Sequence, residues 1–207
     1  MKTISKLLLA SFLCAVGGAQ AAVINSMAGG ASMAFSPLNQ YGNAPVAENG
    51  FTWTSTYGSS VYGWTYSYGL SINGFWDDFS HIGLNTGYSV DSYMTITFDT
   101  PVSSVLAFLN YAPTTGRPYM AIYDSSNSLL EEHFLSISTP AGSNAGEDWG
   151  FSQSSAVIKS FVLGDAYIVA ANLRTNGSAV PVPEPGSLAL LGLGLAGLGL
   201  SRRRSKA

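Results

Sequence analysis

From Ala22 to about Ala179 the chain sustains no helical apolar period; short runs of alternating apolar and polar side chains recur about every ten residues instead. Phe51 and Trp53 alternate with Thr52 and Thr54, and Met94, Ile96 and Phe98 alternate with Thr95 and Thr97. Val102 to Tyr111 is more continuously apolar, and the runs Tyr119 to Tyr123, Leu129 to Ile137, Val157 to Leu163 and Tyr167 to Leu173 follow. Turn-forming residues separate them: Asp99-Thr100-Pro101, Asp124-Ser125-Ser126-Asn127 and Gly164-Asp165. Short strands with this punctuation predict an all-β fold, an antiparallel β-sandwich of jelly-roll-like type over residues 22–179. That length can bury a hydrophobic core without covalent staples.

Charge is distributed unevenly. Lys2 and Lys6 lie at the start, and Arg202, Arg203, Arg204 and Lys206 at the end. Between them stand only Arg117, Lys159 and Arg174 against all twelve acids, a net of −9 hidden behind a whole-chain value of −3. Such a surface repels nucleic acid and other polyanions, so no nucleic-acid partner is expected. The single cysteine, Cys14, lies in the first segment, so residues 22–179 can form neither a disulfide nor a thiolate metal site. As a lipid acceptor Cys14 is poorly placed, because bulky Leu13 precedes it; it reads as an apolar filler of the leader.

Residues 1–21 have the order of a secretory signal peptide: basic Lys2 and Lys6, an apolar run from Leu7 to Val16, and the small-x-small exit Ala19-Gln20-Ala21. Signal peptidase is expected to cut after Ala21. The other end, residues 180–207, reads Val182-Pro183-Glu184-Pro185-Gly186, then 14 residues without charge from Ser187 to Leu200, then the arginine cluster. As a helix, residues 187–200 would reach about 21 Å, against a hydrocarbon core of roughly 30 Å. Four glycines weaken it further. It is predicted to be a single, marginal transmembrane helix that spans by thinning the bilayer. Arg202, Arg203 and Arg204 act as a basic stop that keeps the extreme end cytoplasmic and the domain on the far side.

Pro-Glu-Pro, an apolar Leu/Gly/Ala helix and a terminal arginine cluster, in that order, resemble the PEP-CTERM sorting signal, also catalogued as an ice-binding-protein C-terminal domain. The resemblance implies processing by an exosortase, a membrane transpeptidase-like enzyme of exopolysaccharide-producing Gram-negative bacteria. Pro183, Glu184 and Pro185 match the sorting motif, and the catalytic cysteine of that reaction would belong to the exosortase. Physically, the two prolines keep the motif extended and leave Glu184 as a lone charge at the membrane surface. Residues 94–174 also resemble the generic β-domains found upstream of such tails, through Pro101-Val102, Tyr123-Asp124 and Asn172-Leu173. The implied route is export across the inner membrane, transient anchoring through the C-terminal helix, then residence at the cell surface, in the outer envelope or outside the cell.

One stretch of the middle suggests a ligand. In a regular strand Tyr62, Trp64, Tyr66 and Tyr68 would project from one face, with Gly63, Thr65 and Ser67 on the other. Such a row could stack sugar rings, which makes these four the expected carbohydrate-stacking residues and exopolysaccharide the expected ligand. The alternative is that the same row is core, although three buried hydroxyls would each need a partner. Asp77-Asp78, Asp124 with Asn127, Glu147-Asp148 and Asp165 stand at predicted turns and read as turn formers rather than calcium ligands. His81 and His133 lie in no recognisable nucleophile–base arrangement, and no Gly-x-Ser-x-Gly elbow occurs. A carboxylate pair for glycoside hydrolysis stays open as a lesser alternative, since its separation is set by the fold. Ice binding is poorly supported, because Thr52/Thr54 and Thr95/Thr97 read as isolated pairs. The expectation is therefore a non-enzymatic surface or matrix protein without metal or cofactor, binding polysaccharide or serving as a purely structural domain.

Overall fold

The computed structural model describes residues 21–85 and 92–176, which contain no α-helix and fold into antiparallel β-structure. In chain order the strands begin with five short ones: β1 (Ala22–Ile24), β2 (Ala31–Met33), β3 (Gln40–Tyr41), β4 (Val46–Glu48) and β5 (Phe51–Ser55). Next come β6 (Val61–Trp64), β7 (Tyr68–Gly69), β8 (Phe75–Trp76) and β9 (His81–Leu84), with a 3₁₀ turn at Ser71–Asn73. The longer strands close the domain: β10 (Tyr93–Val102), β11 (Ser104–Tyr123), β12 (Leu129–Phe134), β13 (Glu147–Ser152) and β14 (Ile158–Asn176).

Two of these do most to define the architecture. The first part of β14 pairs with β10 and the last part of β11, and β4, β5 and β12 extend that layer on either side. The second part of β14 pairs with the first part of β11, with β9 and with β2. β13 and β1 extend this second layer on one side, β6 and β3 on the other. Both long strands thus run through both layers, and the layers face each other. Trp53 of β5 meets Tyr62 of β6 with ring centroids 5.2 Å apart. Phe151 of β13 meets Phe161 of β14 at 6.5 Å.

Alternation decides which residues fill the space between. Phe51, Trp53, Met94, Ile96, Phe98, Met120, Ile122, Phe161 and Leu163 point inward from the first layer and are buried in one core. From the second layer come Ile82, Leu84, Val105, Leu109, Phe151, Ile168 and Leu173. Each such side chain contributes about 1.5–3 kcal/mol by leaving water. The all-β, antiparallel structure expected from the alternating runs is present.

The second layer is covered on its outer face as well. Val169 and Ala171 of β14 pack there against Tyr68, Leu70 and Trp76 from the segment joining β6 to β9. Trp76 stacks on Phe108 at 5.4 Å and 11°. A sheet covered on both faces wants apolar residues at successive positions, which is why β9 is buried throughout and Val102–Tyr111 reads as continuous in the sequence.

The expected turn at Gly164-Asp165 is a correction. Those residues lie inside β14, where the strand passes from one layer to the other and the register slips opposite Gly116 of β11. Asp165 has φ 54° and Gly116 φ 93°, and a Cβ on Gly116 would come within 2.1 Å of the Asp165 carbonyl oxygen. Turn chemistry here makes a bulge that bends a through-going strand, not a reversal.

Candidate functional site

The row Tyr62–Tyr68 does not form one face. Gly63 adopts φ 57°, and a Cβ there would lie 1.9 Å from the Ser36 carbonyl oxygen, so the strand can bulge at this point only because no side chain is present. Beyond the bulge Trp64 pairs once more with His81 of β9, and the chain then leaves the second layer. Thr65 then donates its N–H and hydroxyl to Asn39 Oδ1 at 2.8 and 3.0 Å. The alternation is broken, and the four aromatics take separate environments.

Tyr62 is fully buried between the layers and donates its hydroxyl to Glu48 Oε1. Partial burial works against the Glu48 charge, but hydrogen bonds from Ser36 and Tyr62 outweigh it and hold the carboxyl below its ordinary value. Burial, then the bond to Glu48, pushes the Tyr62 hydroxyl far up. Tyr68 is buried in the second cluster, its ring 4.7 Å from Tyr167 and 5.5 Å from His81. Trp64 is half-buried and Tyr66 is 60 % exposed. With Tyr41 they make a small exterior group, Trp64 lying 6.5 Å from Tyr41 and 5.2 Å from Tyr66 at a steep 76° to the latter. Rings set edge to face offer no common plane to a sugar.

A second surface was not legible as such. On the outer face of the first layer, register sets Thr54 opposite Thr95 and Thr52 opposite Thr97. The two threonine pairs that look isolated in sequence are one four-residue block. Across β10 the rows continue into Val162 and Ser160 of β14, then Ala121 and Tyr123 of β11. Short side chains therefore floor the middle of the sheet. Tyr93, Tyr119 and Tyr123 rise beside them, and together they bound a groove of about 450 Å³. The Tyr119 ring lies over Gly164, where a Cβ would come within 2.7 Å of it. A second groove of about 440 Å³ shares Tyr93 and Tyr119 and is lined also by Arg117, Glu132 and Asp165. There the Arg117 guanidinium sits 3.6 Å above the Phe134 ring. Burial, followed by Tyr123 and nearby acids, raises the Tyr119 hydroxyl to about 12, and burial raises that of Tyr123 as well. Both remain protonated, able to donate and accept.

The remaining candidates have structural partners. Asp124 Oδ1 accepts the N–H groups of Ser126 and Ser128 at 2.8 and 2.9 Å. Glu147 accepts from the Trp149 indole at 3.0 Å, and Asp148 pairs with Arg174 at 3.1 Å. Among the described residues no three His, Cys, Asp or Glu side chains gather into a metal-binding group. His81 is buried and donates from Nδ1 to the Phe79 carbonyl at 3.0 Å; burial lowers its pKa and keeps it neutral. His133 stacks on Trp149 at 5.3 Å.

Of the terminal signals only Ala21 lies among the described residues, half-buried against the core immediately before β1. Ala19, Pro183, Glu184, Pro185, the helix expected over residues 187–200, and Arg202, Arg203 and Arg204 all lie outside the described residues. No helix long and apolar enough to cross a membrane occurs among the described residues.

No curated protein matches the chain. Residues 181–204, however, match the family model of the PEP-CTERM protein-sorting motif, so this all-β chain carries a PEP-CTERM sorting signal shortly after the last of its described strands.

Proposed function

We propose that the protein is an exported, non-enzymatic surface protein, delivered through its C-terminal signal and then held in extracellular polysaccharide. The observation that carries this reading is the sorting motif at residues 181–204. In the route it supports, signal peptidase cuts after Ala21. The apolar stretch 187–200 holds the chain in the inner membrane with Arg202, Arg203 and Arg204 on the cytoplasmic side. An exosortase then acts at Pro183-Glu184-Pro185 and frees the domain to the surface.

Two structural facts agree with that route. β1 begins at Ala22, so removal of residues 1–21 leaves every described strand whole. At the far end β14 closes at Asn176, before the matched motif starts. A non-enzymatic role is supported by the histidines, each engaged in packing, and by acids committed to turns, an indole and an arginine.

Mass spectrometry of the protein recovered from the cell surface tests the route. The expected form starts at Ala22 and contains nothing beyond about Gly186. In cells lacking the exosortase, the chain with its arginine cluster should accumulate in the membrane fraction. Identical processing and delivery in such cells would overturn the proposal.

A further inference from the structure

We infer that the tyrosine-walled groove on the outer face of the first layer, bounded by β5, β10, β14 and β11, binds a segment of neutral polysaccharide. This rests on the reading that the domain works in extracellular polysaccharide, and it names the site and the ligand class.

The groove has the two chemistries a glycan needs. Its floor carries the hydroxyls of Thr54, Thr95 and Ser160 beside the methyls of Val162, a mixture that meets both the C–H and O–H surfaces of a sugar. Its walls carry Tyr93, Tyr119 and Tyr123, whose rings can stack while their protonated hydroxyls hydrogen-bond. Tyr119 is fixed in advance by lying over Gly164, so little side-chain freedom is lost on binding. The volume falls in the range of about 300–1,000 Å³ usual for small-ligand sites. The adjoining groove, sharing Tyr93 and Tyr119, lets a chain continue past one end.

Charge selects the kind of glycan. Among the described residues, no carboxylate, lysine or arginine lines the first groove. The second offers Arg117 against Glu132 and Asp165, and Arg117 is already seated on Phe134. An anionic polymer would meet a net negative surface there, on a domain already strongly acidic. A neutral chain meets no such penalty. The exterior group Tyr41, Trp64 and Tyr66, whose rings are set at steep angles to one another, is the natural control.

The test is affinity electrophoresis of the protein recovered from producing cells, in gels containing neutral dextran, neutral galactomannan or anionic alginate. The wild type should be retarded by at least one neutral polymer and not by alginate. Tyr119→Ala and Tyr93→Ala should each weaken retardation about tenfold. Thr95→Trp, which fills the floor without removing a wall, should abolish it with the melting temperature retained. Trp64→Ala should change nothing. Retardation that survives Thr95→Trp but is lost in Trp64→Ala overturns the groove while leaving polysaccharide retention standing. Retardation by alginate alone overturns the neutral ligand, and none by any polymer overturns the site. None of these outcomes bears on the processing read by mass spectrometry.

Discussion

Gly63 and its neighbours show how one residue redirects a surface. The alternation of Tyr62, Trp64, Tyr66 and Tyr68 is real in the sequence, but a positive-φ glycine in its midst cancels the parity on which it depends. An isolated glycine inside a strand pattern is itself a bulge signal, so this divergence could have been foreseen. The close approach to Ser36 that enforces it could not. Gly63→Ala should cost roughly 2–4 kcal/mol, read as a lower denaturant midpoint, because it combines left-handed strain with a backbone clash. The Tyr62–Glu48 bond offers a second check. Tyr62→Phe should cost about 1.5 kcal/mol at neutral pH, at the low end for a charged acceptor because Glu48 is only half-buried. Since Glu48 is held below its ordinary value, its contribution is present above the unfolded value and disappears as pH falls through the folded one. The gap between wild type and Tyr62→Phe should therefore narrow in acid, as thermal melts at pH 7 and pH 3 would show.

At the scale of elements, the segment from β6 to β9 owes its position to a buried amide network. Asn73 Nδ2 donates to Asn110 Oδ1 at 3.0 Å, to the Tyr111 carbonyl at 3.0 Å and to the Ile137 carbonyl at 3.1 Å. Asn110 in turn donates to Thr139 Oγ1 at 3.0 Å and to the Ala145 carbonyl at 2.8 Å. Asn110→Ala strands several buried partners at once and should lower stability by about 2–4 kcal/mol. Hydrogen exchange should show the loss concentrated in residues 71–76 and 135–145. Neither asparagine stands out in the sequence, because turn-forming and network-forming asparagines look alike until the fold brings residues 37 positions apart together. The same holds for β11 and β14. Local chemistry at Gly164-Asp165 is that of a turn, and only the partner strand at Gly116 reveals a bend in a 19-residue strand.

Across the whole molecule, the layered β-architecture was legible from alternation and turn spacing, and the doubly covered layer left its trace as the more continuously apolar run ending at Tyr111. The groove was not legible. Its walls alternate with inward Met120 and Ile122, so Tyr119 and Tyr123 announce an outer face. Their meeting with Tyr93 and the threonines, however, is a matter of long-range register. Tyrosine burial also sets an alkaline limit. Burial raises Tyr62, Tyr68 and Tyr119, the last to about 12. Their contribution is intact below the unfolded value of about 10 and is lost as pH climbs through the folded values. A tyrosinate absorbance titration should show these groups ionising late, in step with cooperative unfolding rather than before it.

The through-going course of β14 sets an order of events. It supplies a central strand to both layers, yet it is the last of the described strands, ending only five positions before the matched motif begins. A chain threading out N-terminus first can complete neither layer until residue 176 has emerged. By then the matched sorting motif, which begins at residue 181, follows only a few residues behind. Closure of the sandwich and presentation of the cleavage motif thus become nearly simultaneous. A domain stalled before its final strand reaches the outside would offer the processing enzyme nothing to cut.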